Sequence, residues 1–160
     1  MAKEKLSYED FLATLGEETK GFVQKLHGVL IDGGCKIEVK SAASGYVASY
    51  QWGKKALLNY VFRKKGLLVR IYANHVGEYA GVLDGFPESL VAAVRKAPPC
   101  KRMLDPNACS PTCSMGYDFM LRGERCQKCR YSAFFFVVCE ESAPHIRALL
   151  EQELQARKAS

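Results

Sequence analysis

IEVKSAASGYVASYQWGKKALLNYVFRKKGLLVRIYANH, Ile37 to His75, is the stretch that decides the fold. Ile37 and Val39 alternate with Lys36, Glu38 and Lys40. From Gly45 to Trp52, Tyr46, Ala48, Tyr50 and Trp52 alternate with Val47, Ser49 and Gln51. A period of two is the mark of half-buried strands. Gly53-Lys54-Lys55 turns the chain into a third strand, Ala56 to Lys64, and Lys65-Gly66 turns it into a fourth, Leu67 to Ala73. Four strands joined by such short turns make an antiparallel meander.

On both sides of the meander the period becomes helical. Ser7 or Tyr8 starts a short helix carrying Phe11, Leu12 and Leu15, which Gly16 ends. Glu17 to Leu30 follows, with Phe22, Val23, Leu26, Val29 and Leu30 on one face and two glutamates at its start, where the helix dipole favours them. Pro87-Glu88-Ser89 opens a helix through Leu90, Val91 and Val94 that Pro98-Pro99 stops. Tyr117 to Leu121 reads as a strand with its turn at Arg122-Gly123-Glu124. Tyr131 to Val138, nearly all apolar, reads as a central strand buried on both faces. From Ser142 a last helix runs with Ile146, Leu149, Leu150 and Leu154 as its core stripe. The expected architecture is a single α+β domain over 1–160. It has an antiparallel sheet of about five to six strands, helices mainly on one face, and a zinc knuckle inserted at 100–130.

The knuckle rests on Cys109, Cys113, Cys126 and Cys129, two close pairs twelve residues apart. Sulfurs about 2.3 Å from one zinc must sit close together, which spacings of about two to four residues allow. Seven cysteines in a chain whose start, MAKEKLSYEDF, shows no signal peptide argue for metal or redox chemistry in a cytoplasmic protein, not for a disulfide framework. Four thiolates close the coordination sphere, so the zinc is expected to be structural. Rivals are a Cys126–Cys129 redox pair, an iron or iron–sulfur site, or no metal. Cys100 is the one substitute ligand. Arg122, Arg125, Lys128 and Arg130 surround the second pair and can offset the charge of the thiolates.

The net charge of +6 belongs to one block: residues 36–72 carry eight basic side chains and one acidic. Lys54, Lys55, Arg63, Lys64 and Lys65 mix there with Tyr46, Tyr50, Trp52, Tyr60 and Tyr72, a combination that can bind single-stranded nucleic acid by phosphate contact and stacking. Against this, the aromatics can equally be core and the lysines solubilising turns. His75 follows the fourth strand, with Tyr72 and Tyr79 near it, and Glu78 or Tyr79 as its partner. These three form a candidate ligand-binding cleft. No nucleophile elbow, phosphate loop or paired-histidine metal motif is present, and the longest apolar run is far too short for a membrane span.

The Ile37–His75 stretch and the closing helix resemble the YdhG-like group of small bacterial domains, α+β proteins similar in outline to frataxin. The likeness covers about half the chain and implies the α+β fold. That family does not typically carry a four-cysteine insertion, so no functional residue transfers. Iron handling, suggested for some relatives, would want an acidic helix or sheet edge, and residues 36–72 are the opposite. The functional expectation is a non-enzymatic binding module with a structural zinc and a protein or nucleic-acid partner. The alternatives are nucleic-acid binding through the basic block, or a small-molecule protein or enzyme with its cleft at His75.

Overall fold

Val39, Ala48, Tyr60, Val69 and Phe136 stand side by side across five strands, each directly opposite the next, and all five are buried. This row is the centre of the protein, seen in a computed structural model that describes residues 7–42, 45–64, 66–100, 107 and 116–159. Among these residues the strands β1 (Lys36–Ala42), β2 (Gly45–Trp52), β3 (Lys55–Arg63) and β4 (Gly66–Ile71) form the expected meander. β5 (Tyr117–Leu121) and β6 (Glu124–Lys128) form a separate two-stranded ribbon. β7 (Phe135–Val137) joins the meander beside β4, giving the order β1-β2-β3-β4-β7, antiparallel throughout.

Two of the turns are set by backbone chemistry. Gly53 and Lys54 have φ of 57° and 70°, and Arg122 and Gly123 have 49° and 81°. Two successive positive φ values define the type I′ turn, whose twist matches that of the flanking strands. Both pairs contain a glycine, the residue that enters this region without steric cost.

Helices cover the face that carries Tyr60. α1 (Tyr8–Leu12) begins with a capping box: Ser7 Oγ accepts from Asp10 N, and Asp10 Oδ2 accepts from Ser7 N. It lays the Phe11 ring 5.7 Å from that of Tyr60. α2 (Glu17–Asp32) buries Val23, Leu26 and Leu30. The last helix, α5 (Ala143–Ala159), brings Ile146 beside Leu26 and Tyr60. The opposite face has a shorter apolar row, Val61, Leu68 and Val137. Helices mainly on one face, as the sequence implies, follow from this imbalance.

After β4 the chain makes a short helix α3 (Val76–Tyr79), a 3₁₀ helix (Ala80–Gly85) and α4 (Glu88–Lys96). The ribbon packs against α3 and the 3₁₀ helix. Tyr117, Phe119 and Leu121 on its inner side join the same core through Phe134, whose ring lies 5.7 and 5.3 Å from those of Tyr117 and Phe119.

One expectation changes. Tyr131–Val138 is not a central strand: only Phe135–Val137 pair, and β7 stands at the sheet edge. The run is apolar on both faces for another reason. Phe134 and Phe136 point into the core between sheet and ribbon, while Phe135 is half-buried with the Arg70 guanidinium 4.8 Å from its ring centre. Ser142 ends the run by accepting from Cys139 N and donating to Val137 O, just before α5 begins.

Candidate ligand-binding cleft

The core stripe of α5 is interrupted by two charges. Ile146, Leu149, Leu150 and Leu154 fall at helical spacing, and Glu153 and Arg157 occupy the next positions of the same face. Both are buried, Glu153 to 0% exposure and Arg157 to 5%. A carboxylate there is tolerable only when every lone pair has a donor. Glu153 Oε1 accepts from the His75 backbone N at 2.9 Å and from Tyr79 Oη at 2.5 Å. Oε2 accepts from His75 Nδ1 at 2.9 Å and from Arg157 Nε at 2.7 Å. Arg157 also donates to the carbonyl oxygens of Tyr72 and Ala56 through Nη2 and of Lys55 through Nη1. One node thus ties the last helix to the start of β3 and to the chain leaving β4.

His75 is thereby oriented. With Nδ1 donating to Glu153, Nε2 is the ring nitrogen available to a ligand. His75 lines a cleft of about 500 Å³, together with Trp52 and Lys55 from the β2–β3 hairpin, Asn74, and Tyr117 and Arg130 from the ribbon. A second lobe of about 390 Å³ adjoins it across the shared residues Lys55, Asn74 and Arg130, and is walled by Tyr72 and Tyr131. These volumes lie in the range of small-molecule sites. Neither lobe is lined by a carboxylate, and neither by a Ser, Thr or Cys side chain, among the described residues.

Of the three residues singled out in the sequence, His75 and Tyr72 line the cleft, and Tyr79 supports it from behind. Burial and the adjacent Glu153 carboxylate push the Tyr79 phenol well above its ordinary pKa, so it remains a donor. The partner of His75 is neither Glu78 nor Tyr79 but Glu153, 78 residues away. Glu153 and Arg157 escaped the sequence reading although their positions on the apolar stripe are a legible signal: ionisable groups on a core face demand partners.

The ribbon wall carries two unusual groups. Tyr117 is 4% exposed and its hydroxyl has no hydrogen-bond partner among the described residues. Burial raises its pKa against the opposing pull of Arg130, so it is a neutral phenol with an unused donor. Arg130 is half-buried, its guanidinium 5.5, 5.9 and 6.0 Å from the ring centres of Tyr72, Tyr117 and Tyr131. Its hydrogen bond is to Asn74 Oδ1 at 3.1 Å, and no carboxylate pairs with it among the described residues.

The basic block does not form one surface. Lys54 and Lys55 stand at one end of β3, and Arg63 and Lys64 at the other, some eight residues or about 27 Å apart. Lys65 lies outside the described residues. Tyr50, Tyr60 and Tyr72 are buried, which removes them as a stacking platform. Among the described cations of the block, Lys55 alone joins the cleft.

Of the cysteine quartet, Cys109 and Cys113 lie outside the described residues. Cys126 sits on β6 opposite Phe119 and belongs to the core. Burial raises its thiol pKa. Cys129 is half-buried where β6 ends, its carbonyl accepting from Ala133 N. The two are separated by residues in extended, paired conformation, which turns side chains three positions apart to opposite faces. Cys100 lies at the Cys129 end of the ribbon: Pro99 bridges Lys128, and Cys100 Sγ accepts from Gly116 N at 3.2 Å. Gly116 is fixed by that approach, since a Cβ would stand 2.2 Å from Lys128 O. Among the described residues no three His, Cys, Asp or Glu side chains are gathered to hold a metal. Three of the four cations near the second pair are engaged elsewhere: Arg122 with Glu88, Arg125 with Asp118, and Lys128 with the carbonyls of Arg95 and Ala97. No family model, no curated protein and no solved structure matches the chain.

Proposed function

We propose that this chain is a small-molecule binding protein that takes its ligand in the cleft beside His75. The observation that carries this reading is the buried Glu153–Arg157 node, which holds His75 with Nδ1 committed and Nε2 free at a cleft of about 500 Å³. Pre-set polar groups around a cavity of this size are what a ligand site requires. The same histidine–carboxylate geometry would serve a general base. No serine, threonine or cysteine stands beside His75 in the lining for it to activate, among the described residues, and binding is the reading put to the test. A structural zinc on the cysteine-rich segment belongs to the proposal as a staple for the ribbon, which supplies one wall. Cys126 would have to leave the core to serve it, whereas Cys100 and Cys129 already share one end of the ribbon. The test is a thermal-shift screen against a metabolite set. A ligand that raises Tm in the wild type and not in His75→Ala is expected. A screen in which every stabilising compound works equally well on His75→Ala refutes the reading.

A further inference from the structure

The cleft's lining is one-sided. Lys55, His75, Arg130 and Arg157 contribute to it, and no Asp or Glu does among the described residues, because Glu153 lies wholly behind the wall. Cationic lining alone is common on protein surfaces and identifies nothing. Two further observations are independent of it. The Tyr117 hydroxyl is a buried donor with no acceptor among the described residues, and such groups in a folded protein call for an explanation. Arg130 is held in place by three tyrosine rings and the Asn74 side chain while no carboxylate meets it. A guanidinium fork offers five donors, and among the described residues one hydrogen bond, to Asn74, is made.

We infer that the cleft is an anion site in which Arg130 receives the carboxylate or phosphate of a small organic ligand, and the Tyr117 hydroxyl, covered in the ligand-free chain, shifts to meet it. This rests on the cleft reading above and specifies its ligand class. An oxyanion supplies what both groups lack: lone pairs for the phenol O–H and a planar or tetrahedral array for the guanidinium fork. His75 and Lys55 line the same lobe, where they can meet a second oxygen. The aromatic surfaces of Trp52 and Tyr117 leave room for an apolar body attached to the anion. A polymeric nucleic acid is a poorer occupant, because Arg63 and Lys64 lie at the far end of β3.

The experiment is a titration of the full chain, followed by amide chemical shifts, with four probes: benzoate, phenyl phosphate, inorganic phosphate and the neutral isostere benzamide. Saturable shifts at the cleft are expected for at least one anion and not for benzamide. Benzoate alone would mark a carboxylate head, and the two phosphates a phosphoryl head. Arg130→Gln is expected to weaken the anion at least about tenfold, as the loss of a charged hydrogen-bond donor does. Tyr117→Phe is the sharper variant. It should weaken the anion about three- to tenfold while leaving the ligand-free Tm equal or higher, since it removes an unsatisfied buried group. A purely packing role for Tyr117 would leave affinity alone. The inference is overturned if no anion binds better than benzamide, or if the two variants bind anions as the wild type does. In that event a neutral metabolite whose stabilisation still depends on His75 would leave the cleft itself standing.

Discussion

Removing the Glu153 carboxylate is the perturbation that tests most of this structure at once. Its two oxygens satisfy four donors: His75 N, His75 Nδ1, Tyr79 Oη and Arg157 Nε. Glu153→Ala strands them and leaves space in the core stripe of α5. Hydrogen bonds to a charged group contribute about 1.5–3 kcal/mol each, but four that share one acceptor do not add. Breaking a buried ion pair from one side costs about 3–5 kcal/mol, and that is the expected loss. At about 2–4 °C per kcal/mol for a chain of this size, Tm should fall by about 6–20 °C. Glu153→Gln keeps the shape and one acceptor oxygen, so it should cost less, about 1–3 kcal/mol. The assay is urea unfolding followed by the fluorescence of Trp52, the chain's one tryptophan, with the m-value checked for constancy. The double variant Glu153→Leu/Arg157→Met should lose less than the sum of its single changes, because it leaves neither charge buried alone. A Glu153→Ala loss under about 1 kcal/mol would refute the account of the node as a coupled structural element.

Two further outcomes follow from other parts of the fold. His27 stacks on Tyr8 at 3.7 Å and shares a hydrogen bond with the Tyr50 hydroxyl at 2.7 Å, and burial lowers its pKa against a weaker opposing effect of Glu9. The unfolded chain therefore takes up the proton first as pH drops below about 6.5, so this contribution is intact above that value and is lost as pH falls towards the depressed folded pKa. Urea midpoints between about pH 5 and 8 should show that decline, and His27→Gln should flatten it; an unchanged slope would contradict the assignment. For the metal, elemental analysis should find about one zinc per chain, and strong chelators should lower Tm. Cys129→Ser should lose the metal, and comparing Cys126→Ser with Cys100→Ser then decides which thiol completes the set. A metal-free chain, well folded under reducing conditions, would end the zinc proposal.

The sequence makes the meander legible because period two and hairpin chemistry are local facts. Gly53-Lys54 and Arg122-Gly123 announce their turns from adjacent residues alone. The strand register follows once Val39, Ala48, Tyr60 and Val69 must all face inward. Tyr131–Val138 is misleading for a reason of the same kind. A run of apolar residues records that every side chain is covered, not what covers it. Here the cover is a ribbon on one side and the guanidinium of Arg70 on the other, where a central strand would have had two neighbours. The cleft was half legible. His75 could be found as a histidine at a strand end, but its carboxylate comes from a helix at the far end of the chain. The ribbon is legible as a strand and its turn, but its place as a wall of the cleft is not, because Arg130 reads as part of a thiolate environment, whereas the fold turns it onto Tyr72 and Asn74.

The charged node also bears on why the cleft should be taken as a site. Positions 153 and 157 continue an apolar stripe, and a leucine and a methionine there would fill the same volume. Buried ion pairs are seldom the most stable solution, since replacement by apolar side chains is often neutral or favourable. Stability alone therefore gives no reason for Glu153 and Arg157. What an apolar pair could not do is hold an imidazole by one nitrogen, with the backbone N–H of the same residue fixed by the same carboxylate, so that the other nitrogen meets the cleft. Nor could it hold the carbonyls of Ala56 and Tyr72, at the neighbouring ends of the paired strands β3 and β4. Departures from the local pattern of a sequence concentrate where a function requires them. In this chain Arg157 from α5 and Tyr117 from the ribbon line the same cavity, and that convergence, more than any single residue, is the physical argument for a ligand.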